Sequence, residues 1–355
     1  MLTACYTDTS SSTPKSELDI AVKEIIDYTV TPSLNNFFQE TEKLSSLTES
    51  FCATGNKVES DLIALQKQWI TTNNAWFKLS PYLLGPLTTE DFLTAEAFWY
   101  IDSYRQRGND VSATVRSDIT DMLATSDTIN AATFSAKRFN QVGLLALELL
   151  LFETSATAPN TIADITSEYQ TILRKCEILK GQANELNRRV TIIHNNWNEN
   201  YRDSGIGYRD LLVNKQLEST FTENNDIDGT GTPAFTRLVV STQSHLDYLT
   251  KRNITTRSAQ ASNSIWQALG NTYNSLQEFL AGTSNSSLSL YKMMGNGYDA
   301  NIATLQENMK FFKLSIEEKN TVNFKSFSSA LDGNLKRELP QALNAELGLN
   351  FTDGD

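Results

Sequence analysis

The sequence predicts an all-α protein, and two observations carry that prediction. Between residues 162 and 197, apolar residues recur at alternating spacings of three and four, the pattern of a helix packed in a bundle. Only 7 of the 355 residues are proline, so long stretches lack the residue that breaks helices. Strand patterns, in which every second residue is apolar, are weak throughout.

The apolar seam predicts one long central helix, beginning near Pro159-Asn160-Thr161 and ending near Asp203-Ser204-Gly205. At a rise of about 1.5 Å per residue, it would be roughly 60 Å long and could serve two bundles at once. Its apolar positions are Ile162, Ile165, Tyr169, Ile172, Cys176, Leu179, Ala183, Leu186, Val190, Ile193 and Trp197.

Further helices are predicted on both sides of the central one. Before it lie Glu17 to Glu49 with a break or kink at Pro32, Val58 to Leu79, Phe92 to Tyr104, Ser112 to Thr125 and Ala136 to Phe152. After it lie Thr236 to Lys251, Gln260 to Ala281, Asp299 to Phe312 and Phe327 to Leu347. A chain of 355 residues corresponds to one large or two medium domains.

Charge and hydropathy narrow the classes of function. The formal net charge is −12 and no stretch is rich in Lys and Arg, which argues against binding to nucleic acid. An acidic balance is compatible with binding cations, although it mainly favours solubility. No apolar run is long enough to span a membrane.

The N-terminus contains the pattern of a bacterial lipoprotein. Leu2-Thr3-Ala4-Cys5 matches the lipobox, whose cysteine becomes the lipidated first residue, and the Ser/Thr-rich stretch from Tyr6 to Pro14 suits a tether. We therefore expect a lipid anchor at Cys5 and a signal peptide that begins before Met1. The alternative is a chance match of four residues.

The other cysteines and the two histidines give weaker indications. Cys52 and Cys176 form a disulfide if the protein is exported, or Cys176 is a buried free thiol on the apolar seam. His194 is expected to pack beside that seam, and His245 to be solvated or to cap a helix, rather than to act as bases. Two histidines cannot build a site with three histidine ligands.

The polar stretch Asn224-x-Asp226-x-Asp228-Gly229 resembles the start of a calcium-binding loop. The twelfth position of such a loop should be Glu and is Phe235, so a plain surface loop is the favoured interpretation.

One carboxylate stands in the most apolar segment of the chain. From Val142 to Phe152 the only charged residue is Glu148, and a helix that is apolar all round is usually buried. Glu148 must then be paired, hydrogen-bonded or protonated. Separately, Asp102 and Arg105 follow the aromatic residue Trp99, which suits a helix end that approaches a polar cleft.

Four stretches resemble the imelysin-like family, which includes insulin-cleaving metalloproteinase-like outer-membrane proteins and iron-uptake components. They are Leu65 to Trp69 with the turn at Gly85-Pro86, the segment Trp99 to Asp102, the segment Gly143 to Glu148, and the stretch Arg257 to Gly282. The third stands where the family carries G-x-H-x-x-E. This chain keeps Gly143 and Glu148, and Leu145 takes the place of the histidine.

The resemblance implies two helical-bundle domains with a site between them. With the long helix shared by both, we place a tether at 1–16, an N-terminal bundle at 17–158 and a C-terminal bundle at 159–355. It also implies export to the periplasm, often as an outer-membrane lipoprotein, and a link to iron uptake. Peptidase activity has been attributed to the family, but Leu145 cannot bind a metal, and a catalytic zinc normally needs three protein ligands.

We therefore expect a binding protein for iron or haem that is not a peptidase, with its site in the interdomain cleft and a protein partner in iron uptake. Glu148, Gly143, Trp99, Asp102, Arg105 and Arg257 are the candidate cleft residues. Glu148 either pairs with Arg105 or Arg257 or supplies one oxygen to iron or another divalent metal. The alternatives are a metallopeptidase with displaced ligands, using His194 or His245, and a membrane-tethered helical scaffold.

Overall fold

The computed structural model describes residues 13–88, 97–105, 111–155, 160–214, 234–294 and 298–343. Every regular element in these ranges is helical, which confirms the predicted all-α class. None of the helices in these ranges is long and apolar enough to cross a membrane.

The helices fall on either side of the undescribed residues 215–233. The first set is α1 Thr13–Ile25, α2 Thr31–Ala53, α3 Glu59–Leu79, α4 Val111–Ala124, α5 Ala131–Ser135, α6 Leu144–Phe152, α7 Ile162–Thr171, α8 Leu173–Asn198 and α9 Tyr208–Val213. The second set is α10 Ala234–Lys251, α11 Ile254–Arg257, α12 Ile265–Ala281, α13 Leu290–Met293, α14 Asp299–Glu317, α15 Thr321–Lys336 and α16 Glu338–Ala342.

Near the predicted break or kink at Pro32, a π-helical turn, Ile26–Val30, stands between α1 and α2, and the backbone stays helical through it. Pro32 lies in the first turn of α2, where the N–H group that proline lacks would have no partner within that helix.

The long central helix is broken, which corrects the prediction of one unbroken helix. α7 ends at Thr171, Ile172 leaves the helical conformation with φ −112° and ψ 80°, and α8 begins at Leu173. The Thr171 hydroxyl donates to the carbonyls of Ser167 and Glu168, a side-chain interaction that bends helices. The apolar spacing continues across the break, so the seam does not reveal it.

Two predicted helices of the first half are also shorter than expected. In place of a helix to Tyr104, the described residues 97–105 form two 3-10 turns, Ala97–Tyr100 and Ser103–Arg105. Of the helix predicted from Ala136, only α6 is α-helical, and it begins after Gly143.

Gly143 has a conformation that other residues rarely adopt, with φ +89°. A Cβ atom at this position would lie 2.5 Å from the carbonyl oxygen of Tyr100 and 2.6 Å from that of Ile101. The next residue, Leu144, donates its N–H to Ile101 at 3.0 Å. Gly143 thus lets the start of α6 lie directly against the 3-10 segment.

In the second half, α12 begins at Ile265 and not at Gln260, and the last predicted helix is replaced by α15 and α16. The residues before α12 form a turn in which Ala259 and Asn263 have positive φ values of 49° and 52°. This turn, residues 258–264, is called the 258–264 turn below.

The packing joins the two sets of helices. α8 packs along α2, α7 contacts α3, and α15 packs against both α10 and α14. Across the join between the two sets, α3 and α12 lie side by side. Most buried apolar residues of both sets belong to one continuous core, and a smaller cluster around Leu145 lies within the first set, so the described residues do not divide into one core for each set. The boundary after residue 158 stays a prediction.

Candidate functional site

Glu148 lies at the floor of a cavity between the two sets of helices. Glu148 is only 1% exposed, as expected from its place in α6, where residues 144–151 are all buried. The cavity has a volume of about 410 Å³, within the range typical of ligand sites. Its lining consists of Tyr104, Ser112, Arg116, Glu148, Leu149, Asn253, Thr256, Arg257, Gln260 and Ala261.

The 258–264 turn supplies the partners of the Glu148 carboxylate. The Ser262 N–H donates to Oε1 at 2.9 Å, and the Ser262 hydroxyl donates to the same oxygen at 3.0 Å. Burial raises the pKa of Glu148 to about 7, although these hydrogen bonds oppose the rise and the charge of Glu153 adds to it. Glu148 is therefore a carboxyl group that exchanges its proton near neutral pH.

No cation among the described side chains lies within salt-bridge distance of Glu148. Arg257 lines the same cavity without an ion pair to it, and the side chain of Arg105 lies outside the described residues. Arg116 instead forms a bidentate pair with Glu153, with both N–O distances at 2.8 Å. Among the described residues, Glu148 is therefore held by hydrogen bonds from Ser262 and not by the predicted arginine.

Asp102 lies beneath the cavity and has its own set of donors. It is 6% exposed and accepts hydrogen bonds from the Trp76 indole N–H at 3.1 Å, the Tyr248 hydroxyl at 3.2 Å and the Tyr104 N–H at 3.2 Å. Because Trp76 belongs to α3 and Tyr248 to α10, Asp102 holds the two helix sets together. It does not face the larger cavity.

A second cavity of about 10 Å³ lies between Asp102 and Glu148. Asn73, which is 3% exposed, also lines it, and the Asn73 Nδ2 atom has no hydrogen-bond partner among the described residues. A space of this size matches about one water molecule, and the amide and the two carboxyl groups would be its polar surroundings.

The remaining predicted residue, Trp99, does not line either cavity. Its ring is half-buried and packs on Phe139, with 5.2 Å between ring centroids, and on Phe98 at 6.0 Å. Of the predicted set, the structure therefore brings Glu148 and Arg257 to the cavity, Asp102 beneath it, and Gly143 to the turn that starts α6.

Sequence reasoning missed Tyr104, Asn253, Gln260 and Ser262. These residues lie in 3-10 or turn segments that the apolar pattern assigned to helices or left without an element. No glycine marks the left-handed positions of the 258–264 turn, so the usual sequence signal for such a turn is missing.

The described residues do not fit a metal centre. They contain no group of three or more His, Cys, Asp or Glu side chains able to hold a metal ion. Leu145 packs in a small apolar cluster with Val111, Val115 and Leu149, where the family motif has its histidine. Glu148 alone supplies too few ligands for a zinc site.

Neither histidine lies in this site. His194 stacks on Phe38 with 4.2 Å between ring centroids, in line with its predicted packing role. His245 is completely buried in α10 beside Tyr248, so the expectation of a solvated or capping residue is wrong. An apolar face of α10 that packs on α15 accounts for its burial.

The structure joins Cys52 and Cys176 in a disulfide, which links the end of α2 to the start of α8. Cys5 and the calcium-like stretch from Asn224 to Gly229 lie outside the described residues.

Comparison with known proteins places the chain in a family. The family model described as Imelysin, designated a peptidase family, matches residues 30–325. An imelysin-like protein from Psychrobacter arcticum 273-4 has a similar solved structure, with TM-score 0.69 and 15% identity over 95% of this chain and 98% of its own. No curated protein sequence matches the chain.

A second solved structure has the same fold. It is described as a "putative iron-regulated protein A precursor" from Parabacteroides distasonis ATCC 8503, with TM-score 0.63 and 14% identity over 92% of this chain and 95% of its own. Because the family match covers most of its length, this chain belongs to the imelysin family.

Proposed function

We propose that this protein is an exported binding protein of iron acquisition, that it is not a peptidase, and that the cavity at Glu148 is its ligand site. The observation that carries the proposal is a buried carboxyl group at the floor of a polar cavity between two packed helix sets. The name of the Parabacteroides neighbour supports a link to iron.

Two observations favour binding over peptide hydrolysis. Leu145 replaces the histidine of the motif and is packed among apolar side chains. The metallopeptidase alternative requires a displaced metal site, and the described residues supply no cluster of ligands for one. Glu148 needs neither the histidine nor a metal to donate a proton to a bound ligand or accept one from it.

In this proposal the protein is located in the bacterial periplasm and is held to the outer membrane by a lipid anchor at Cys5. A protein partner receives iron from it or delivers iron to it. The lipobox Leu2 to Cys5 supports the anchor. The disulfide between Cys52 and Cys176 supports an oxidising compartment, because cytosolic thiols stay reduced.

A binding titration tests the proposal. The whole purified chain is titrated with ferrous ion, ferric citrate and haem by calorimetry, and with haem also by absorbance. We expect one of the three to bind with a stoichiometry of one, and Glu148→Leu to change its affinity while the exposed Glu42→Leu does not. If the intact chain binds none of these iron forms, the iron-binding function is wrong.

A further inference from the structure

The charge around the cavity runs against the charge of the chain. The formal net charge of the protein is −12, yet two arginines, Arg116 and Arg257, line the cavity. At its rim, the ammonium group of Lys325 donates to the side chain of Asn253, which brings a third cation close. The described acidic groups nearby are Glu148, Glu153 and, beneath the cavity, Asp102.

Of these cations, Arg257 is the one available to a ligand. Arg116 is held by Glu153 through two hydrogen bonds of 2.8 Å, and Lys325 is held by Asn253. Arg257 is exposed at the end of α11, and no described residue forms a hydrogen bond or ion pair with it. A guanidinium group is always charged and presents a planar pair of donors that matches a carboxylate.

The floor of the cavity reinforces this charge. Below neutral pH, burial keeps a proton on Glu148 because its pKa is about 7, so the floor then carries no charge. Arg116 faces Glu148 from α4, Arg257 from α11, Glu153 from the end of α6, and Asp102 from beneath. Arg116 and Glu153 offset each other, and Arg257 on the cavity wall forms no ion pair with a described residue.

We infer that the cavity takes a small anionic ligand rich in carboxylate groups, bound through Arg257, and that iron enters with it as an anionic chelate and not as a bare cation. The inference rests on the proposed ligand site and adds the chemical class of its ligand. The absence of a metal-ligand cluster among the described residues agrees with it, because the chelator and not the protein would hold the metal.

The proton on Glu148 gives this inference a second consequence. A carboxylate at the floor would repel an anion, and a protonated carboxyl group would not. Binding should therefore weaken as the pH rises through the pKa of Glu148, and Glu148→Gln should remove that dependence because its amide stays neutral.

The experiment measures citrate binding to the intact chain by calorimetry, with glycerol as the neutral polyol control. We expect citrate to bind and glycerol not to bind. Arg257→Ala should weaken citrate by about tenfold or more, as loss of a hydrogen-bonded ion pair does, and Arg257→Lys should weaken it less. Arg337 is an exposed arginine at the C-terminal end of α15 and does not line the cavity. Arg337→Ala is therefore the control and should leave the affinity unchanged.

The pH series is run on the same proteins between pH 6 and pH 8. The ionisation of citrate itself changes over this range and affects both proteins alike, so the readout is the ratio of their two affinities. The affinity of the parent chain should fall relative to that of the Glu148→Gln variant as pH rises. Equal binding of citrate and glycerol, no binding of citrate, or an Arg257→Ala variant that matches the parent would each overturn the inference.

The outcomes separate this inference from the proposed function. If citrate binds through Arg257 but ferric citrate, ferrous ion and haem all fail to bind, the iron role is wrong and the anion site stands. If ferrous ion binds with equal strength to the parent and to Arg257→Ala, and citrate does not bind, the iron role stands and the anion site is wrong.

Discussion

Glu148 and Ser262 are 114 positions apart in sequence, and two hydrogen bonds join them. The Ser262 N–H and hydroxyl lie 2.9 and 3.0 Å from the same carboxylate oxygen. The contact connects α6 to the 258–264 turn, which precedes α12. The turn that satisfies the buried carboxyl group thus also closes one side of the cavity.

The first prediction concerns stability and pH. Burial raises the pKa of Glu148 in the folded chain from 4.5 to about 7, so the unfolded chain releases this proton at lower pH than the folded chain. The stability that the group contributes is complete below pH 4.5 and is lost as pH rises towards 7. By linkage the loss is about 3 kcal/mol, to within a unit of pKa.

Glu148→Gln should flatten this dependence, because the amide has no proton to lose. The measurement is the melting temperature between pH 4.5 and pH 8, with the exposed Glu42→Gln as the matched control. A parent chain whose melting temperature does not fall over this range relative to Glu148→Gln would contradict the prediction.

The second prediction concerns the serine partner. Ser262→Ala removes the hydroxyl donor and leaves the N–H donor in place. We expect a loss of about 1–2 kcal/mol in the free energy of unfolding, larger at pH 8 than at pH 5, since bonds to a charged group are stronger. Denaturant unfolding at both pH values measures it.

Glu148→Gln supplies the control for this second prediction. In its background, Ser262→Ala should cost the same at pH 5 and pH 8, because the residue at 148 no longer changes charge. A cost that still grows with pH would show that Ser262 acts through another group.

The role of Glu148 in this site could be predicted from the sequence, because burial of a charged group limits what it can do. A single charged group in an apolar helix must be paired, hydrogen-bonded or protonated, and the structure gives Glu148 both hydrogen bonds and a raised pKa. The hydrogen-bond partner of Glu148, Ser262, could not be predicted from the sequence. Ser262 lies in a turn whose left-handed residues are Ala259 and Asn263, which sequence patterns do not mark as a turn.

The fold shows the same limit. The spacing of apolar residues identified the helices, because the buried face of a helix requires apolar residues at helical period. That spacing continues unchanged across Ile172, where α7 ends and α8 begins. At that position the Thr171 hydroxyl bonds to the carbonyls of Ser167 and Glu168. Periodicity carries no information about such bonds.

The third prediction concerns the join between α3 and α12. The Thr272 hydroxyl donates to the carbonyl of Phe77 at 3.0 Å, and the Ser275 hydroxyl donates to that of Lys78 at 2.7 Å. Both carbonyls lie in the last turn of α3, where a helix has no internal donors left. Side chains of the second helix set therefore complete a helix of the first.

Thr272→Val keeps the shape of the side chain and removes this donor. We expect a loss of about 1 kcal/mol, because the Phe77 carbonyl loses its shorter hydrogen bond and keeps only the longer one from the Ser80 hydroxyl at 3.3 Å. Chemical denaturation measures the loss. Thr71→Val, at an exposed position of α3, is the control and should change the stability by less than about 0.5 kcal/mol. Equal effects of both variants would contradict the role assigned to Thr272.

The fourth prediction concerns the disulfide. Cys52 and Cys176 are separated by 124 positions, and the bond between them constrains the unfolded chain. Its removal in the Cys52→Ser, Cys176→Ser double variant should cost about 2–5 kcal/mol. A reducing agent should lower the melting temperature of the parent and leave that of the double variant unchanged. A parent that is insensitive to reduction would show that the bond is absent or without effect on stability.

The fifth prediction restores the histidine of the family motif. Leu145 is 3% exposed and packs against Val111, Val115 and Leu149, so Leu145→His places an imidazole among apolar side chains. We expect a loss of about 1–3 kcal/mol at neutral pH from the buried polar group, and a larger loss at pH 5, where the imidazole tends to become charged. Leu145→Met, which keeps the volume, should cost less than about 1.5 kcal/mol.

The same variant tests whether the motif alone makes an enzyme. A histidine at position 145 and Glu148 would supply two ligands. Asp102 lines the same small cavity, but its carboxylate is already held by the Trp76, Tyr248 and Tyr104 donors. A catalytic zinc normally needs three protein ligands, so L145H should bind no stoichiometric zinc and cleave no unfolded protein substrate. Elemental analysis after dialysis against zinc, paired with a peptidase assay, gives both readings. Stoichiometric zinc with new peptidase activity would mean that the scaffold retains a hydrolytic site and that Leu145 alone had silenced it.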